Sequence, residues 1–150
     1  MPQLQEQVKK LIHFYENISL VNLSELSVFY SKNAYFKDPF NDVYGVNKIE
    51  KIFEHMFESL QKPSFVVRDV ATQEHHTFIT WDFYFEVKQL PSRGVMAIKG
   101  ATHIVWEYNE GQNSWQINSH RDYWDAAEEL YEKMPLIGYV LRWIKKKFSS

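Results

Sequence analysis

The hydrophobic period of this chain shifts from about four to two near Pro63, and nothing else in the sequence constrains the fold as strongly. Before that point apolar side chains recur every three or four residues, the spacing that gives a helix one apolar stripe. From there to Trp124 they alternate, as in strands with one buried face. Helices first and long strands afterwards predict an α+β domain in which helices cover one face of a curved antiparallel sheet. A length of 150 residues predicts one domain, 1–150, large enough to bury a core.

Leu4, Val8, Leu11, Ile12, Tyr15 and Ile18 mark a first helix over 4–21. Asn22, Leu23 and Ser24 form a capping stretch, and Leu26, Phe29 and Tyr30 give a short second helix ending near Asn33. A strand over 34–40 stops at Pro39, with Asp38 at its end. Gly45 precedes a third helix, carried by Ile49, Ile52, Phe53, Met56, Phe57 and Leu60 and closed at Lys62 and Pro63. Four strands are then predicted over 64–73, 77–89, 95–108 and 114–124, joined by turn-forming residues into an antiparallel meander. The tail, 125–148, reads as a helix interrupted near Pro135 and Gly138, with Ile137, Val140, Leu141, Ile144 and Phe148 on one stripe. Arg142, Lys145, Lys146 and Lys147 give it a basic edge. Such a tail caps the fold or packs across a homodimer, with contact to an anionic membrane a distant third expectation.

Composition removes several function classes. There is no cysteine, which excludes disulfides, thiolate zinc sites and cysteine nucleophiles. A net charge of −2 argues against nucleic acid as a partner. The first ten residues, MPQLQEQVKK, hold no apolar run, so a cytoplasmic location is expected. At 17% of the chain, aromatic residues exceed what a minimal core needs, enough to line a pocket as well as fill one. His120 and Asp122 share a strand face, yet no compact ligand motif accompanies them; neither metal nor cofactor is expected.

The order helix, helix, Tyr35-Phe36-Lys37-Asp38-Pro39-Phe40, Gly45, helix and four strands, closing on His120-Arg121-Asp122-Tyr123-Trp124-Asp125, resembles the SnoaL-like branch of the nuclear transport factor two-like superfamily. The resemblance spans nearly the whole chain and implies a cone-shaped fold, often dimeric, with three helices on the concave face. It also implies kinship with ketosteroid isomerases, limonene epoxide hydrolases, polyketide cyclases and non-catalytic binding domains, so fold likeness leaves function open. Asp38 aligns with the isomerase general base, while that family's oxyanion donors, a tyrosine and a protonated aspartic acid, fall on Phe14 and near Ile104. Of the epoxide hydrolase relay, Asp122 matches one carboxylate. Asp82 stands for the arginine, Tyr84 for the second carboxylate, Phe36 for the tyrosine and Asp38 for the asparagine.

Strand alternation puts Thr80, Asp82, Tyr84 and Glu86 on one face and Ile79, Trp81, Phe83 and Phe85 on the other. With Asp122 turned to the cavity, Asp82 and Tyr84 are expected beside it and Asp38 across the mouth. Carboxylates crowded in an apolar hollow cannot all stay ionised, so one of them becomes a proton donor near neutral pH. The expected site is therefore Asp38 as base, Asp122 or Asp82 as acid partner, and Phe14, Phe36, Tyr84, Ile104, His120 and Trp124 as walls. Its expected ligand is a small apolar molecule bearing a polar group. The plain alternatives are Asp38 as a turn former, Asp122 paired with Arg121 or Lys99, His120 as a satisfied core residue, and a non-catalytic dimeric module.

Overall fold

The computed structural model describes residues 3–88, 92 and 94–125. The helix expected over 125–148 lies outside them. Helix α1, Leu4–Glu16, buries Val8, Leu11 and Phe14 and stops where the Asn17 side chain donates to the free carbonyl of His13 at 2.8 Å. A short 3-10 turn, Leu23–Glu25, leads into α2, Leu26–Phe29. Strand β1 runs Tyr30–Lys37 and folds back as β2, Asp42–Tyr44. Gly45, at φ 107°, adopts a backbone that favours glycine and starts α3, Val46–Ser59. The remaining strands are β3, Leu60–Gln73; β4, His76–Val87; β5, Met96–Asn109; and β6, Ser114–Tyr123.

These strands form one sheet in the order β2-β1-β6-β5-β4-β3. From β3 to β6 it is the expected antiparallel meander. Its other half corrects the antiparallel expectation: β1 pairs with β6 in parallel, Phe36 opposite His120 and Lys37 opposite Arg121, so the sheet is mixed. The reason is topological. Strand β1 comes first in the chain and its partner last, and a partnership across such a separation leaves no trace in local alternation.

The core lies between the helices and the concave face. Ile49, Ile52, Phe53, Met56 and Phe57 of α3 meet the inward side chains Ile79, Trp81, Phe83 and Phe85 of β4 and Ile98 and Ile104 of β5 in one buried cluster. Full burial of an aliphatic or aromatic side chain contributes about 1.5–3 kcal/mol, so this cluster is the main source of stability. No described helix is long and apolar enough to cross a membrane.

Candidate functional site

Asp38 stands one residue beyond β1, in a turn closed by Pro39. Its Oδ1 accepts the backbone N–H groups of Phe40 at 2.8 Å and Asn41 at 2.6 Å, and its own N–H donates to the Asn41 carbonyl at 2.9 Å. The turn-forming role is therefore real. It does not exhaust the residue, because Asp38 also lines a cavity. The parallel register that sets Lys37 against Arg121 carries the chains on side by side, so Asp38 and Asp122 reach the same cavity wall.

That cavity holds about 90 Å³. Phe36, Phe40, Phe53, Phe65, Trp81 and Trp124 supply rings, Met56, Leu60 and Ile98 close its apolar end, and Asp38 and Asp122 are its charged residues. A second hollow of about 40 Å³ adjoins it, sharing Phe53, Phe65, Trp81 and Asp122 and adding Tyr15, Thr102, Ile104 and His120. Asp122 therefore stands where the two hollows meet.

Burial in this apolar wall pushes the Asp38 carboxyl up to about 6, and the neighbouring Asp122 charge adds to the rise. The hydrogen bonds from Phe40 and Asn41 favour the ionised form and hold the shift back. Asp38 thus titrates close to neutral pH, where proton transfer in either direction is accessible.

A continuous hydrogen-bond chain holds Asp122. His120 Nε2 lies 2.7 Å from its Oδ1, and the Thr102 hydroxyl donates to the same oxygen at 2.5 Å. Thr102 Oγ1 in turn accepts the Trp81 indole N–H at 2.8 Å. On the other side His120 Nδ1 lies 2.6 Å from the Tyr30 hydroxyl, which meets the Tyr15 hydroxyl. An indole N–H only donates and a carboxylate only accepts. An arrangement in which His120 donates through Nε2, Tyr30 to Nδ1 and Tyr15 to Tyr30 sends both arms toward Asp122 Oδ1. Burial drives the phenol acidities of Tyr15 and Tyr30 well away from ionisation, keeping both hydroxyls as neutral links.

The expected residues divide cleanly. Asp38, Phe36, Asp122 and Trp124 line the larger hollow, and Ile104 and His120 the smaller. His120 is 3% exposed with both ring nitrogens bonded, a satisfied core histidine that also orients Asp122. Asp82 and Tyr84 are corrected: they sit on the opposite face, where the Arg68 guanidinium donates to Asp82 at 2.8 Å and to the Tyr84 hydroxyl at 3.2 Å. Alternation along β4 had the right two faces. What was wrong was the face joined to Asp122, since the ladder runs Ile79 to Thr102 to Asp122 and makes the aromatic face the inner one. Three converging carboxylates are therefore two. Phe14 is corrected as well. It packs on Phe29, ring centroids 5.2 Å apart, and Tyr15 reaches the hollow instead.

Sequence reasoning missed Tyr15, Tyr30, Thr102 and Trp81 as site residues. Tyr15 carried a usable signal, because it lies on the same stripe as Leu11 and Ile12. Thr102 and Tyr30 carried none that a single strand or helix reveals. Among the described residues no group of three or more His, Asp or Glu is arranged to hold a metal ion.

Solved structures share this architecture at identities that speak for the fold alone. A ketosteroid isomerase-like protein from Catenulispora acidiphila, in complex with trimethylamine, superposes with a TM-score of 0.68 at 16% identity, covering 87% of this chain and 94% of that one. A candidate SnoaL-like polyketide cyclase from Shewanella putrefaciens gives 0.66 at 17% identity, over 89% and 96% of the two chains. An epoxide hydrolase from M. tuberculosis, similar to the limonene enzymes, gives 0.60 at 11% identity, over 91% and 94%. No curated protein matches the sequence. The family of the SnoaL-like domain matches residues 11–114, more than half of the chain, and the protein belongs to that family.

Proposed function

We propose that this protein binds a small, largely apolar molecule with one polar group and moves a proton on it, Asp38 acting as general base and Asp122 as its partner. The observation that carries the reading is two carboxylates from separate strand ends on the wall of one aromatic cavity, one of them pushed up to about 6. A base whose acidity matches the working pH gives the best combination of correct protonation and driving force. Asp122 is held by His120 and Thr102 through one oxygen, and its other oxygen takes no hydrogen bond from the described residues. Isomerisation, cyclisation and water addition all fit such a pair.

Size narrows the ligand. An apolar cavity of about 150 Å³ holds benzene, so the space here suits roughly four to six heavy atoms. The trimethylamine held by the Catenulispora protein is a ligand of that scale in the same fold.

The second reading is a non-catalytic binding module. It is favoured by the closed hydrogen-bond chain through Tyr15, Tyr30 and His120, whose donors are all spent within the chain rather than aimed at a developing oxyanion.

One experiment addresses both. A fragment library is screened by thermal shift against the wild type and Asp38→Asn, and each hit is then incubated with protein in D₂O. The proposal expects fragments that stabilise the wild type by several degrees and the variant by much less, with deuterium entering a carbon beside the polar group. Hits without exchange select the module. A library with no carboxylate-dependent hit contradicts the pocket.

A further inference from the structure

We propose that the occupant of this cavity is a small alkylammonium ion; the proposal rests on the pocket reading above and names its ligand class. Charge is the first ground. Among the described residues, Asp38 and Asp122 are the charged groups of the larger hollow, and none of its lining is lysine, arginine or histidine. Lys37 and Arg121 border the outer mouth beside both carboxylates, but each is engaged elsewhere. Lys37 Nζ lies 3.2 Å from Asp42, and the Arg121 guanidinium lies 4.7 Å over the Tyr123 ring.

Hydrogen-bond supply is the second ground, and it is independent of charge. Asp122 Oδ1 takes both His120 and Thr102, while no hydrogen bond from the described residues is recorded on its Oδ2. Asp38 Oδ1 takes two backbone N–H groups and the Asn41 amide at 3.2 Å, and among the described residues its Oδ2 receives only that same amide at 3.3 Å. Buried acceptors lacking donors are costly, and on this wall the second oxygens of the two carboxylates are short of donors. A ligand that complements them brings N–H groups.

The walls are the third ground. Aromatic faces carry negative quadrupole charge and attract cations, most strongly where water is excluded. Phe36, Phe40, Phe53, Phe65, Trp81 and Trp124 surround the space next to the two carboxylates. A protonated amine with a compact alkyl group meets all three conditions: charge against the carboxylates, N–H to the free oxygens, methyl groups to the rings. An alcohol of the same shape meets part of them, and a carboxylate is repelled.

The test uses three probes of nearly one shape and different charge: tert-butylammonium, tert-butanol and pivalate, titrated into the full-length protein at pH 7.5. Binding is read by calorimetry and by shifts of the Trp81 and Trp124 indole N–H resonances. The expected order is ammonium, then alcohol, then carboxylate, with at least a tenfold gap between the first two. In Asp38→Asn and Asp122→Asn that gap should shrink toward one, both variants having been checked for folding by circular dichroism. The order among wild-type affinities decides the matter even if a variant does not fold. Equal binding of the alcohol, or tighter binding of pivalate, overturns the ammonium assignment and leaves the pocket standing. Absence of binding by all three overturns the assignment, and together with an empty fragment screen it overturns the pocket too.

Discussion

Asp38 shows how one side chain serves two purposes. Its Oδ1 closes a turn through Phe40 and Asn41, while the residue itself forms part of an apolar wall beside Asp122. The turn fixes the carboxyl where ionisation is disfavoured, and its acidity falls from the ordinary 3.8 to a value of about 6. Because the folded-state value is raised, the native protein binds more protons than the unfolded chain between these limits. The contribution of Asp38 is therefore most favourable below pH 4 and is lost as pH rises toward 6. Asn at this position keeps an oxygen acceptor for both N–H groups and cannot ionise. Between pH 4 and pH 7 the stability of Asp38→Asn relative to wild type should rise by up to about 3 kcal/mol, as two pKa units imply. Urea unfolding at unit pH steps measures this, and curves that stay parallel would contradict it. The sequence announced this residue through its position before Pro39 at a strand end. The helix-one contact was placed one residue early, at Phe14, because the isomerase resemblance puts its tyrosine there, although the helical stripe through Leu11 and Ile12 favours Tyr15, about 100° round the helix. Tyr15 is the one that reaches inward.

At the scale of the element, β4 is the informative strand. Its alternation is legible because one face is almost wholly aromatic or aliphatic, and Ile79, Trp81, Phe83 and Phe85 are all buried. Its neighbour β5 makes room for the largest of these. Opposite Trp81 stands Gly100, and a Cβ there would lie 2.4 Å from the end of the indole ring. Glycine is needed here for space rather than for backbone freedom. Only with the ring over Gly100 does its N–H reach Thr102, and through Thr102 the carboxylate of Asp122. Gly100→Ala should push the indole out of place and destabilise the fold by about 1–3 kcal/mol. Tryptophan fluorescence and chemical denaturation read this together; an unchanged spectrum and midpoint would mean that the indole does not depend on the gap. Element ends were harder to read. Helix α3 stops at Ser59, before the expected Lys62 and Pro63, and β3 begins at once, with a bulge in its ladder between Gln61 and Ser64. Lys62 takes φ 52° there, next to a proline that cannot donate to the ladder. Strand β1 likewise starts at Tyr30, where the apolar spacing still suited a helix. Strand β2, three residues long, is too short for any period to show.

For the whole molecule, the decisive feature is the pairing of the first strand with the last. Local patterns supplied the layers and the meander, because each depends on residues a few positions apart. They could not supply the parallel contact of β1 with β6, which depends on the sheet closing over the helices. That contact gives the site its charge: it brings Asp38 and Asp122, from opposite ends of the fold, to one cavity wall. The strand that was expected to contribute Asp82 instead contributes Trp81 and Phe83, and the site is more aromatic and less acidic than the sequence suggested.

The coupling of these two carboxylates is measured most directly by following the side-chain carboxyl carbon of Asp38 by NMR from pH 3 to pH 8, in the wild type and in Asp122→Asn. A midpoint near 6 in the wild type, moving down when the Asp122 charge is removed, is the predicted result. A midpoint below 4 in both proteins would contradict it, since Asp38 would then be a solvated turn residue with no part in an acidic cavity.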